Sequence, residues 1–151
     1  MTTPEQPLEP MSPHEEALVR ELARVMLVLP RAVDADMMRE QRLPLSEYTT
    51  LMHLSEAADR RMRMSELASV CNLSLSGMTR IVARLETQGL VGRERCAEDA
   101  RGWNAVLTDQ GLARLQEAWP AHLASVRRHV LDHVDADDLT RLLGVMRRIA
   151  T

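Results

Sequence analysis

Between Met64 and Gly111, two short helical patterns, a glycine stop and a charged hairpin follow one another with almost no chain to spare. Ser65 to Cys71 carries Leu67, Ala68 and Val70 as its apolar residues, and Asn72-Leu73-Ser74 then forms a turn ending in a good N-cap. The helix that follows is expected to reach Gln88. Along it Met78, Ile81, Val82 and Leu85 recur at helical spacing and make one core-facing stripe. Ser76, Thr79, Arg80 and Ala83 repeat that spacing two residues earlier, about 200° around the helix, so they face outward. This outer stripe is small, hydroxylic and basic, which suits entry into a major groove; by itself it is equally compatible with a solvated face. Gly77 weakens the first turn by roughly 1 kcal/mol relative to Ala, but it removes bulk where a neighbouring helix or a phosphate must come close. Gly89 follows as the C′ residue.

The hairpin shifts the balance. Leu90 to Arg95 and Asn104 to Thr108 read as strands, and the segment between them carries the turn residues Asp99, Arg101 and Gly102. Arg93 and Arg95 fall two apart and so share one strand face. An Arg at a protruding tip can enter a narrow minor groove, where negative potential is enhanced, and Asp99 is expected to hold the Arg101 guanidinium in one orientation. The residues expected to meet DNA are therefore Ser74, Ser76, Thr79, Arg80, Arg84, Arg93, Arg95, Asp99 and Arg101.

Ser65-Glu66-Leu67-Ala68, Leu73-Ser74 through Arg84-Leu85-Glu86, Gly89-Leu90-Val91, Asp99-x-Arg101 and Leu107-Thr108-x-x-Gly111 occur in one order and spacing. On these residues the chain resembles the MarR (multiple-antibiotic-resistance regulator) family of winged-helix transcription factors. In architecture the likeness extends from Pro13 to Ala150. It implies a mainly α fold with a small β-wing, a symmetric dimer with a recognition helix in each of two major grooves, and often a small aromatic or anionic effector that weakens DNA binding.

Charge distribution agrees. The net charge of −3 would argue against a nucleic-acid partner, but residues 60–101 carry 8 Arg against 5 acids, whereas residues 1–59 carry 5 Arg against 11 acids. The basic excess coincides with the helix-turn-helix and wing. All 19 basic residues are Arg, a pattern that suits bidentate contacts and equally reflects codon bias.

The flanks are read as dimerisation helices. Leu18, Leu22, Val25, Met26 and Leu29 form an apolar stripe in a first helix; Leu112, Leu115, Trp119, Leu123, Val126 and Val130 form another in a fifth. Leu139, Leu142, Leu143, Met146 and Ile149 make a third, with Asp135 as N-cap. The expected layout is a tail over residues 1–12, a winged helix-turn-helix lobe over 45–108, and dimerisation helices over 13–42 and 109–151. Pro30 and Pro120 are expected to kink or split their helices, and bends there could shape an effector cavity near Trp119 and His122.

Chemistry outside DNA binding finds little support. His122, His129 and His133 lie near one face of the fifth helix, and some relatives sense zinc, but no Cys joins them; interfacial or solvated histidines are the favoured reading, and no metal or cofactor is expected. Cys71 and Cys96 lack metal-ligand spacing. Organic-hydroperoxide sensors of the family carry a reactive cysteine early in the first helix, and this chain has none there. There is no phosphate loop, nucleophile elbow or convincing carboxylate pair, so the chain is read as a non-enzyme. Without a membrane-length apolar run or a signal-peptide pattern, a cytoplasmic location is expected. Two readings remain: a dimeric transcriptional repressor on a pseudo-palindromic operator, or a winged-helix interaction module whose basic wing docks an acidic protein partner.

Overall fold

A computed structural model describes residues 8–99 and 101–151. Residues 1–7 of the expected tail, and Ala100 at the wing tip, lie outside the described residues. The element order is α1 (Pro13–Gln41), α2 (Leu45–Glu56), β1 (Arg61–Arg63), α3 (Met64–Val70), α4 (Leu75–Thr87), β2 (Val91–Arg95), β3 (Trp103–Leu107), α5 (Asp109–His129) and α6 (Ala136–Ile149), with single 3₁₀ turns before β1 and after α5. This is the mainly α architecture with a small β-wing expected from the sequence. Among the described residues no helix is long and apolar enough to cross a membrane.

Local chemistry accounts for the helix ends. Ser12 and Glu15 close a capping box at the start of α1, where Pro13 occupies the first turn. Ser74 caps α4 by accepting the Gly77 N–H at 3.1 Å. Gly89 adopts φ 74°, and the bonds Gly89 N–H to Glu86 O and Leu90 N–H to Leu85 O, both 2.9 Å, complete a Schellman stop.

The sheet order is β1-β3-β2, all antiparallel, with Arg61 opposite Val106 and Val91 opposite Leu107. The wing was expected to have two strands; β1 is a third. It is three residues long and two of them are Arg, so it carries no apolar alternation and owes its conformation to pairing with β3.

Of the kink or split expected at each internal proline, the split does not occur: α1 runs unbroken through Pro30 and α5 through Pro120. Both prolines lie on exposed faces, where the carbonyl that loses its partner can be solvated. Two further differences concern stripe ends. Val130 is the C-cap of α5 and lies outside the helix, and Val70 is exposed while Leu67 and Ala68 of α3 are buried.

Two cores result. One joins Leu51, Leu54, Leu67, Met78, Val82, Leu85 and Val91; the other joins Val33, Met37, Leu43, Tyr48, Ala118 and Ala121, and Leu115 packs against both. Asp36 stitches α1 to α5, accepting from Ser125 at 2.8 Å, His129 at 2.9 Å and Arg128 at 3.0 Å while Arg39 holds its other oxygen at 2.6 Å. The Ser125 hydroxyl, followed by Arg39 and His129, holds the Asp36 carboxyl far below the usual range.

At the joint between lobe and α5, Thr108 accepts the Gly111 N–H at 3.0 Å and donates to Gly89 O at 2.7 Å. A Cβ on Gly111 would stand 2.0 Å from Leu90 O, so α5 begins directly against the backbone that enters β2. This contact gives the Leu107-Thr108-x-x-Gly111 motif its physical meaning.

Candidate nucleic-acid interface

The inner face of α4 buries Met78, Ile81, Val82 and Leu85, all at 6% exposure or less, which leaves Ser76, Thr79 and Arg80 outside. Thr79 returns its hydroxyl to Leu75 O at 2.8 Å, so that donor is already engaged within the helix. Ser74 is occupied as the N-cap and lies 3.2 Å from the Ser76 hydroxyl.

Between α4 and the wing lies an open cleft of about 330 Å³ whose lining includes Arg63, Ser65, Thr79, Arg93, Arg101 and Trp103. Thr79, Arg93 and Arg101 were expected from the sequence, and the fold brings them to one place. Arg63, Ser65 and Trp103 were not expected; Arg63 belongs to the strand that lacked a sequence signal.

The cations divide by partner. The Arg84 Nε donates to Glu47 at 2.9 Å, and that carboxylate is buried on α2. Arg93 pairs with Glu86 at 3.1 Å, and the Arg95 guanidinium lies 4.8 Å above the Trp103 ring. By contrast, Arg80 and Arg101 are exposed and make no side-chain hydrogen bond or ion pair among the described residues. A phosphate or base edge would meet these two groups without an existing pair having to break.

Asp99 departs from its expected role. Its carboxylate accepts the main-chain N–H of Arg101 at 3.0 Å and the guanidinium of Arg63 at 2.6 Å, so it fixes the Arg101 backbone and not the Arg101 guanidinium. The Arg101 N–H, and after it Arg63, hold its carboxyl below the usual carboxylate range. Gly102 closes the tip by bonding its N–H to Asp99 O at 3.0 Å, and a Cβ there would stand 2.7 Å from the Arg63 guanidinium. Arg63 thus runs directly beneath the turn.

The three histidines of the C-terminal half do different things. His122 stacks on Tyr48 with centroids 4.4 Å apart, His129 binds Asp36, and His133 meets Arg128 O at 3.0 Å. Among the described residues no group of three His, Cys, Asp or Glu side chains is arranged to hold a metal ion. Burial pushes the Cys71 thiol up, and Cys96 Sγ lies 3.1 Å from Asn104 Oδ1; neither forms a disulfide. Trp119 lines a separate cleft of about 250 Å³ between α2 and α5. His122 does not line it but stands behind its Tyr48 wall, 6.0 Å from Trp119.

A sequence profile of the MarR family matches residues 43–102. The chain is similar to the HTH-type transcriptional repressor YetL of Bacillus subtilis, with 30% identity over 100 residues; the match spans 65% of this chain and 60% of that protein. Among solved structures it is similar to Sco3205 of Streptomyces coelicolor, a MarR family transcriptional regulator crystallised in complex with DNA, at 32% identity and a TM-score of 0.86 over 97% of this chain and 91% of that one. It is also similar to AbsC, a MarR family transcriptional regulator of the same organism, at 36% identity and a TM-score of 0.83 over 95% and 96% of the two chains.

Proposed function

The chain belongs to the MarR family of transcriptional regulators, and from that premise we propose that it is a dimeric, sequence-specific repressor released from a pseudo-palindromic operator by a small-molecule effector. The observation that carries the reading is the position of Arg80 and Arg101. One stands on the recognition helix and the other on the wing tip, both exposed and without a side-chain partner among the described residues. Two unpaired guanidinium groups so placed suit a duplex read through its major groove by Ser76, Thr79 and Arg80 and through its minor groove by Arg101. Ser74, Arg84, Arg93 and Arg95 then line the approach to the phosphates, with Asp99 positioning the wing. The DNA complex solved for Sco3205 and the repressor role of YetL support this assignment.

Dimerisation is supported by faces that one copy leaves bare. No residue of α6 is buried, yet Leu139, Leu142, Leu143, Met146 and Ile149 lie along it, and Leu18, Val25 and Met26 of α1 are at least half exposed. A second copy covers them. In that dimer residues 45–108 act as the DNA-binding lobe and residues 13–42 and 109–151 as dimerisation helices, with recognition helices about 34 Å apart.

Mapping protected sites on genomic DNA and then titrating one such duplex at several salt concentrations tests the reading. The logarithm of affinity is expected to fall with the logarithm of salt by about 0.9 per phosphate contact. Failure to protect any site, with binding to acidic proteins instead, would replace this function with that of an interaction module.

A further inference from the structure

Aromatic side chains are scarce here: the chain has two Trp, one Tyr and no Phe. Two of these three, Tyr48 and Trp119, line one cleft of about 250 Å³ between α2 and α5, together with Met52, Ser55, Glu56, Leu115 and Gln116. Trp119 is 50% exposed although it lies on a helix packed against the second core, so its ring faces an opening. Among the described residues Glu56 is the only charged side chain of the lining, and no Arg joins it.

The surroundings are electronegative. Burial, with the charge of Glu56 adding to it, raises the Tyr48 phenol, so the field of that carboxylate reaches the cleft wall and Tyr48 stays uncharged. His122, stacked behind Tyr48, supplies no compensating cation: burial lowers its imidazole, and its Nδ1 is buried without a hydrogen-bond partner, as suits an unprotonated acceptor nitrogen. An anion entering here would meet a carboxylate and no donor cation.

We infer that this cleft is a site for a small organic monocation, held between the Trp119 ring and the Glu56 carboxylate with Met52 and Leu115 covering its apolar part. The volume limits the occupant to a single ring or a compact alkylammonium, since drug-sized ligands take roughly 300–1,000 Å³. The inference gives a sign and a size to the effector of the function proposed above and rests on that reading for its regulatory consequence. It reverses the charge of the anionic effector that the family resemblance implies.

Calorimetric titration of the intact protein with benzyltrimethylammonium, and in parallel with phenylacetate, tests it. The cation is expected to bind saturably and the anion at least tenfold more weakly, a ratio of about 1.4 kcal/mol. Glu56→Gln is expected to weaken the cation about tenfold, and Trp119→Leu to do the same through loss of the ring face. Neither position is buried, so both variants are expected to fold, and their melting curves in the absence of ligand check this. Absence of cation binding, equal or tighter phenylacetate binding, or unchanged cation affinity in Glu56→Gln would each overturn the site. Genomic-duplex affinity measured with and without saturating cation separates the two claims. Cation binding that leaves DNA affinity unchanged upholds the site and removes the effector role, whereas loss of the site with intact DNA binding leaves the repressor reading standing.

Discussion

Arg63 and Asp99, 36 residues apart, are joined by a 2.6 Å hydrogen bond that fastens the wing tip to the strand preceding α3. Because the same carboxylate also accepts the Arg101 N–H, the direction in which Arg101 leaves the tip depends on a residue that lies far away in sequence. Arg63→Ala and Asp99→Ala are therefore expected to weaken operator binding by similar factors, and their double variant to weaken it by little more than either one, since both remove the same restraint. Anisotropy titration of the four proteins checks this, and fully additive losses would mean that the pair does not act through one contact.

Gly111 governs the joint between wing and α5. With Leu90 O standing 2.0 Å from any Cβ, Gly111→Ala must displace backbone and not merely a side chain. The expected cost is about 3 kcal/mol or more, at the upper end of overpacking effects. Denaturant unfolding measures it, and a change below the error of the method would contradict the close approach.

Asp36 should make the α1–α5 junction sensitive to acid. Its folded-state carboxyl lies below its unfolded value, so the unfolded chain binds the extra proton. The stabilisation is present above the ordinary carboxylate range near pH 4 and is lost as pH falls through and below it. Asp36→Ala is expected to cost about 1.5–3 kcal/mol at neutral pH and to flatten the acid limb of the melting temperature against pH. An unchanged acid limb would remove Asp36 as its source.

Truncation separates folding from assembly. Since α6 buries none of its own residues against the rest of the chain, deleting residues 135–151 leaves both cores intact while removing an apolar face. The expected product is a monomer or an aggregate that has lost operator affinity, as read by light scattering. A folded, DNA-competent monomer would contradict the dimer proposal.

Legibility in the sequence follows the range of each interaction. The inner and outer faces of α4, its Ser74 cap and its Gly89 stop could be read directly, because each is set by residues within a few positions of one another. The strand β1 could not, since its pairing with β3 crosses more than 40 residues and its own Arg-Met-Arg carries no pattern. The same distance hid the partners of the site: the Glu47 that pairs with Arg84 lies 37 residues earlier on α2, and the cation held by Asp99 proved to be Arg63. Asp36 gave no signal at all, because the hydroxyl that holds it is 89 residues away. The cleft beside Trp119 was half legible. The residue was named, but Glu56, which gives the cleft its charge, lies on another helix.

Helix and wing are proposed to read DNA by different means, and titration of one protected genomic duplex and its base-pair variants with Arg80→Ala, Thr79→Ala and Arg101→Ala separates the two. The helix variants are expected to change which duplexes are preferred as well as how tightly they bind. Arg101→Ala is expected to cost about 1–3 kcal/mol while keeping the order of preference among major-groove variants. Unchanged affinity for Arg101→Ala, or an unaltered order of preference in both helix variants, would mean that helix and wing do not divide recognition in this way.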